Sequence, residues 1–256
     1  MSTYLKSTAS ASPPLTEAER NARVKLAACY RIFDHIGWTE LIFNHISLRV
    51  PGPERLLLIN PFGLHYREVT ATNLVLINLH GEAMRESPWP VNRAGFVIHS
   101  ALHAAVNDAH CIMHTHTTAG VAVSCLKAGL SPHNFYGYQL HGRVAYHDFE
   151  GRTVDEGERV RLVQNVGDRK LAILRNHGLL AWGPSVEEAF FDLYMLQRAC
   201  EVQVASAAAG EINEIAADVL ADGSRLSTPA DNRRKCEDVF AALQRLIDAK
   251  DPSYRQ

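Results

Sequence analysis

The sequence predicts an α/β protein in which helices cover a mixed β-sheet within one domain. Three observations carry this reading. Short β-type apolar runs come in neighbouring pairs as well as alternating with helices, which favours a mixed sheet over a purely parallel, doubly wound one. Helices are marked by capping boxes and by a 3.6-residue apolar period. The 256 residues are 46% hydrophobic and 21% charged, a globular composition.

The elements follow in order. Residues 1–15 are rich in Ser, Thr, Ala and Pro and read as a disordered leader. Thr16-x-x-Glu19 is a capping box, and a helix should run from there to Ile36 with Gly37 as its left-handed stop. Ile46–Val50, Leu56–Ile59 and Leu74–Leu79 read as strands, the second followed by the turn Asn60-Pro61-Phe62-Gly63 and the third by a hairpin tip at His80-Gly81-Glu82. A helix is expected from Gly95 to Val106, a strand over Ala109–His114, and a helix from Thr117 to Ala128 stopped by Gly129. Ser131–Tyr146, rich in Pro, Gly and Tyr and carrying His133 and His141 with His147 just after it, reads either as a stretch that lines a site or as a plain loop. Thr153-x-x-Glu156 caps a helix ending at Gly167, and strands Leu171–Leu174 and Leu179–Trp182 flank a two-residue turn within Arg175–Gly178. Ser185-x-x-Glu188 opens a long helix with the apolar face Val186, Ala189, Phe190, Leu193, Leu196, Cys200 and Val204. One domain is therefore assigned to residues 16–209. Residues 210–256 read as a linker, to about residue 230, and a last helix that packs on the domain or on a neighbouring subunit.

Several function classes are excluded. No apolar run approaches the roughly 20 residues of a membrane span. Lys+Arg 26 against Asp+Glu 28 leaves no basic field for nucleic acid or anionic lipid. Cys29, Cys111, Cys125, Cys200 and Cys236 are odd in number and contain no CxxC, which argues against a disulfide scaffold or a cysteine zinc site. The N-terminus carries no apolar signal core, so a cytoplasmic location is expected.

The 13 histidines are where function has to be sought. His114-Thr115-His116 closes a strand, and residues i and i+2 of an extended chain share a face, so both rings can converge on one point. Taken alone, such a pair is more often surface decoration than a metal site. His177 sits in Asn176-His177-Gly178, a turn that presents its ring, and by itself it reads as an exposed turn residue. Three histidines with an open fourth position would suit a catalytic metal rather than a structural one. His99 and His103, spaced i, i+4, share a helix face, but without an HExxH pattern they read as packing residues.

Four ordered segments resemble the class II aldolase/adducin family: Phe43-Asn44-His45-Ile46-Ser47-Leu48-Arg49, Ile59-Asn60-Pro61-Phe62-Gly63-Leu64, Met113-His114-Thr115-His116 and Arg175-Asn176-His177-Gly178-Leu179. The resemblance spans roughly residues 20–205. It implies a three-layer α/β/α sandwich with a mixed, largely antiparallel sheet, often assembled as a homotetramer. In the sugar-phosphate aldolases of this family three histidines hold zinc, and these carry over to His114, His116 and His177. The metal polarises the substrate carbonyl and stabilises the enediolate. Iron or manganese is the alternative ion. The same register puts His45, Ser47, Gly63 and Arg93 at the substrate.

The sequence departs from those aldolases just before the expected helix at Gly95. Where they carry Ser-Ser-Glu, this chain has Arg93-Ala94-Gly95, so the phosphate-binding serine pair and the acid/base glutamate are gone. The early aldolase Asn falls on His45. Proton return is therefore assigned to metal-bound water or to Tyr136, Tyr138 or His141. Adducin-type members have lost the metal histidines and act structurally. The expectation is a metal-dependent lyase, cleaving by aldol chemistry or decarboxylating a small, non-phosphorylated carbonyl or carboxylate substrate. The alternatives are an Fe(II) oxygenase on the same scaffold and a non-catalytic, adducin-like scaffold.

Overall fold

A computed structural model describes residues 15–151, 156–222 and 229–256, apart from the side chains of residues 93–95, 156, 222, 229 and 230. The expected leader, the 153–156 capping box and the Arg93 side chain lie outside the described residues. The strands are β1 (His45–Arg49), β2 (Leu57–Ile59), β3 (Val75–Ile77), β4 (Cys111–Thr115), β5 (Val144–His147), β6 (Leu171–Leu174) and β7 (Gly178–Gly183). They form one sheet in the order β3-β2-β1-β4-β7-β6-β5. Only β5 and β6 pair parallel; every other neighbouring pair is antiparallel. The sheet is mixed and largely antiparallel, as expected.

Helices cover both faces: α1 (Glu17–Ile36), α2 (Arg93–Ala105), α3 (Thr118–Ser124), α4 (Phe135–Gln139), α5 (Glu156–Val166), α6 (Val186–Ala209), α7 (Ala217–Asp222) and α8 (Pro229–Lys250). The period-2 alternation of each strand divides the core between the two layers. Ile46, Leu48, Cys111, Met113, Leu179 and Ala181 pack with α1, α6 and α8. Ile112, Leu180, Ala172, Leu174 and Trp182 pack with Ile98 and Leu102 of α2 and Leu162 and Val166 of α5. His45 and Ser47 of β1 and His114 of β4, one residue out of phase with the first set, therefore face the α2 layer. This alternation decides on which side of the sheet the histidines lie.

Local signals act as their chemistry requires. The Thr16 side chain accepts from Glu19 N at 3.1 Å, and Gly37 (φ 77°) ends α1 in the left-handed conformation. On the apolar face of α6 every named residue is buried except Val204, which is 39% exposed. Helix α8 closes on α6 through Phe240 and Phe190, edge to face at 5.9 Å. The chain then turns so that Tyr254 is buried and its carbonyl accepts from Ala71 N at 2.8 Å.

Four expectations change. Helix α3 stops at Ser124, not Ala128: Leu126 and Gly129 make tight i→i−3 turns, and Gly129 takes the left-handed conformation (φ 71°) with the Tyr146 ring so close that a Cβ would collide with it. Within Ser131–Tyr146 the chain forms α4, capped by Asn134 at Tyr136 N and Gly137 N, and the start of β5. The 210–230 stretch contains α7, anchored near its start by the bond from Ile215 N to His133 Nδ1 at 3.1 Å. The β6–β7 connection pairs Leu174 with Gly178, leaving three loop residues rather than two, and Asn176 (φ 56°) takes the left-handed position.

Candidate metal centre and its pocket

Strand β4 ends at Thr115, and the β6–β7 loop arrives beside it because β7 pairs antiparallel with β4, Thr115 opposite Leu179. His177, one residue before β7, is thereby set next to His114 and His116. One nitrogen from each of the three rings lies within 4.8 Å of the others. Ring centroids are 4.6 Å apart for His114–His116, 4.7 Å for His114–His177 and 4.8 Å for His116–His177. Gly178 allows this approach: a Cβ there would collide with the Thr115 carbonyl oxygen. Its value is closeness of backbone, while Asn176 supplies the turn.

All three rings are held in the neutral, ligating form. Burial pushes the His114 imidazole well down, and the neighbouring His177, His116 and His45 add to it. Burial and His116 bring His177 down to about 4. Burial also lowers His116, against the opposing pull of Glu40. His114 Nδ1 donates to the Leu179 carbonyl at 2.8 Å, so its Nε2 is the free lone pair, and it lies 2.7 Å from His116 Nε2. A ring anchored through one nitrogen and bare at the other is the usual arrangement of a metal-ligating histidine.

Of the three histidines, His116 alone lines a cavity of ≈ 370 Å³, together with Glu40, Asn44, Thr117, Gln197 and Glu201, among others. That is room for a small metabolite. Two buried side-chain oxygens, Asn44 Oδ1 of a lining residue and the hydroxyl of Thr115, which precedes His116, have no hydrogen-bond partner among the described residues. On the other side of His177 lies a nearly filled slot with His147, Phe149 and Glu158.

Behind the triad is a chain of buried polar groups. His45 Nδ1 lies 2.9 Å from His99 Nε2, His99 Nδ1 lies 2.7 Å from Ser47 Oγ, Ser47 Oγ lies 2.7 Å from His103 Nε2, and His103 Nδ1 lies 2.7 Å from the Ala109 carbonyl. His45 pairs directly opposite His114 on the neighbouring strand, with ring centroids 5.6 Å apart. Burial brings both His45 and His103 down to about 3 and pushes His99 well below its ordinary value.

Residues 24–204 match the family described as the Class II Aldolase and Adducin N-terminal domain. The chain belongs to the class II aldolase and adducin family. Among solved structures, this family member is similar to an aldolase II superfamily protein from Pseudomonas syringae, with 41% identity, 94% of this chain and 98% of that chain covered, and a TM-score of 0.89. It is similar to an L-fuculose 1-phosphate aldolase from Glaciozyma antarctica, with 28% identity, 96% and 97% covered, and a TM-score of 0.81. It is also 44% identical to alpha-adducin of Rattus norvegicus over 91% of its own length but 34% of that protein's.

Within this class II aldolase/adducin domain the other expected site residues fare differently. His45 stands beside the triad. Ser47 is fully buried beneath α2, with its hydroxyl shared between His99 and His103, so it cannot touch a substrate. Gly63 (φ 107°) turns the chain against Trp89 and is not among the residues lining the cavity at His116. Gly95 lies in the first turn of α2, one helical turn before His99. Tyr136, Tyr138 and His141 line neither cavity that touches the triad. Asn134 starts α4 so that Tyr136 packs under the Arg198 guanidinium, 5.5 Å from its ring, on the α6 side of the sheet. The carboxylates Glu82 and Glu86 are also turned away: Glu82 holds Asn78 in its own turn and Glu86 lines a different cavity. Sequence reading missed Glu40 and Glu201 as pocket residues. The positive φ values of Leu41 (51°), next to Glu40, and Asn44 (64°), next to His45, mark this segment as shaped for a site, and they are invisible without coordinates.

Proposed function

We propose that the chain is a metal-dependent lyase of the class II aldolase type, acting by aldol cleavage or decarboxylation on a small, non-phosphorylated carbonyl or carboxylate substrate. One observation carries the reading: nitrogens of three neutral imidazoles converge within 4.8 Å, and one of the rings, His116, lines a cavity. The donor set suits zinc, with Fe2+ or Mn2+ as alternatives, held by His114, His116 and His177. When bound, such an ion supplies Lewis-acid polarisation of a carbonyl oxygen.

The chain's own groups do the rest. Leu179 orients His114, and Gly178 lets His177 close on it. His45 borders the site from β1. Glu40 is the carboxylate that lines the pocket and acts electrostatically on His116, while Glu201 is engaged by Arg198 and Gln197. Glu40 is therefore our candidate for moving a proton in place of the carboxylate that Gly95 cannot supply. Arg93 remains a candidate for holding a substrate carboxylate. A cytoplasmic homotetramer is part of the same proposal. No helix among the described residues is long and apolar enough to cross a membrane.

The decisive experiment is metal analysis of the purified chain, followed by a substrate panel of carboxylates and sugar phosphates with each ion. One bound ion per chain and turnover of a non-phosphorylated substrate are expected. The 44% identity to alpha-adducin favours one other reading, a non-catalytic binding domain. A chain that takes up no metal would establish that reading instead.

A further inference from the structure

The polar chain behind the triad can run in one direction only. A carbonyl oxygen accepts and never donates, so the Ala109 contact requires the proton on His103 Nδ1. His103 is buried and neutral, so its Nε2 carries the lone pair. The Ser47 hydroxyl has one proton and gives it to His103 Nε2, which leaves its oxygen to accept from His99 Nδ1–H. His99, also buried, then has a bare Nε2, and the atom 2.9 Å from it, His45 Nδ1, must donate. His45 is buried like the other two and so holds one proton, which leaves its Nε2 bare and without a hydrogen bond among the described residues.

We infer that this one-way chain, set by the Ala109 carbonyl, fixes His45 in the Nδ1–H form and makes its Nε2 an acceptor for a hydroxyl of the ligand held at the triad. The tautomer is independent of the proposed function; the hydroxyl site rests on it. An amide side chain at this place could both donate and accept. An imidazole held this way only accepts, so it favours a hydroxyl and disfavours the acceptor oxygens of a phosphate.

The test is nitrogen NMR on the full chain labelled with 15N-histidine, at pH 7 and free of metal. Protonated Nδ1 and bare Nε2 are expected at His45, His99 and His103. A proton on His45 Nε2 overturns the inference. In Ser47→Ala the chain is cut, so His103 should keep its form while His99 and His45 lose theirs; an unchanged His45 spectrum also overturns it. For the hydroxyl site, glycolate and acetate are titrated into zinc-loaded protein. The preference for glycolate should fall about 2–10-fold in His45→Phe, the worth of one neutral hydrogen bond. An equal preference in both proteins removes the hydroxyl site. Zinc uptake is read separately: a chain that takes up none overturns the triad reading and the hydroxyl site together, and the metal-free spectrum still decides the tautomer.

Discussion

His114 and Leu179 are joined across β4 and β7 by a ring-to-carbonyl hydrogen bond of 2.8 Å, and that bond leaves the other nitrogen of His114 bare and aimed at His116. The strand pairing that sets Thr115 opposite Leu179 also delivers His177, so the ligand geometry and the sheet register are one construction.

The first prediction follows from that geometry. His177→Ala should lose most of its bound metal while keeping its fold. His177 lies in a loop between two hairpin strands whose buried residues pack without it. Metal analysis beside a circular-dichroism melt checks both halves. Full occupancy in the variant would remove His177 from the ligand set.

Gly178→Ala should behave in the opposite way. A methyl group there meets the Thr115 carbonyl oxygen, which is backbone in the last residue pair of the β4–β7 ladder and not the far end of a flexible side chain. We expect a loss of about 3 kcal/mol, the upper end for overpacking, together with weakened metal binding, read from urea unfolding and from metal titration. Wild-type stability in this variant would show that the β4–β7 spacing is looser than the structure has it.

Sugar-phosphate cleavage should be poor. General acid–base catalysis is worth roughly 10²–10⁴-fold, and Gly95 offers no group to provide it. From an ordinary turnover near ~10 per second, fuculose- or ribulose-phosphate type substrates should fall to ~0.1 per second or less, a deficit of at least about 10². A coupled assay with metal-reconstituted protein decides. On an accepted substrate, Glu40→Gln should lower kcat by about 10²-fold or more if Glu40 moves the proton, with little change in bound metal. Unchanged kcat would reassign that role.

Acid should destabilise the metal-free chain in a defined window. His103 has its folded pKa lowered to about 3 by burial, below an unfolded value near ~6.5. The unfolded state therefore binds the extra proton between these values, so stability is full above the upper one and falls as pH drops toward the lower. At pH 5 one such residue costs about 2 kcal/mol. Urea melts from pH 7 to 5 should show this slope, and it should shrink in His103→Gln. A slope equal in both proteins would mean that His103 charges freely in the fold.

The sequence by itself determined the elements whose signals are local. Thr16, Gly37 and Ser185 set helix ends through hydrogen bonds to residues three or four away, so α1 and the start of α6 were legible before any coordinates. The strand periodicity put His114 and His116 together in the same way, because residues two apart share a face. What only the tertiary structure decided is everything that depends on pairing distant segments. His177 reaches the triad through the β4–β7 register. Ser47, read as a substrate residue, became the middle of a buried hydrogen-bond chain because α2 lies over β1. Glu40 entered the pocket although nothing in its neighbourhood of sequence announces it. A capping box or an alternating run is fixed by short-range sterics and hydrogen bonding, whereas a site is fixed by where a hydrophobic core forces remote strands to meet, and a single sequence carries no local record of that meeting.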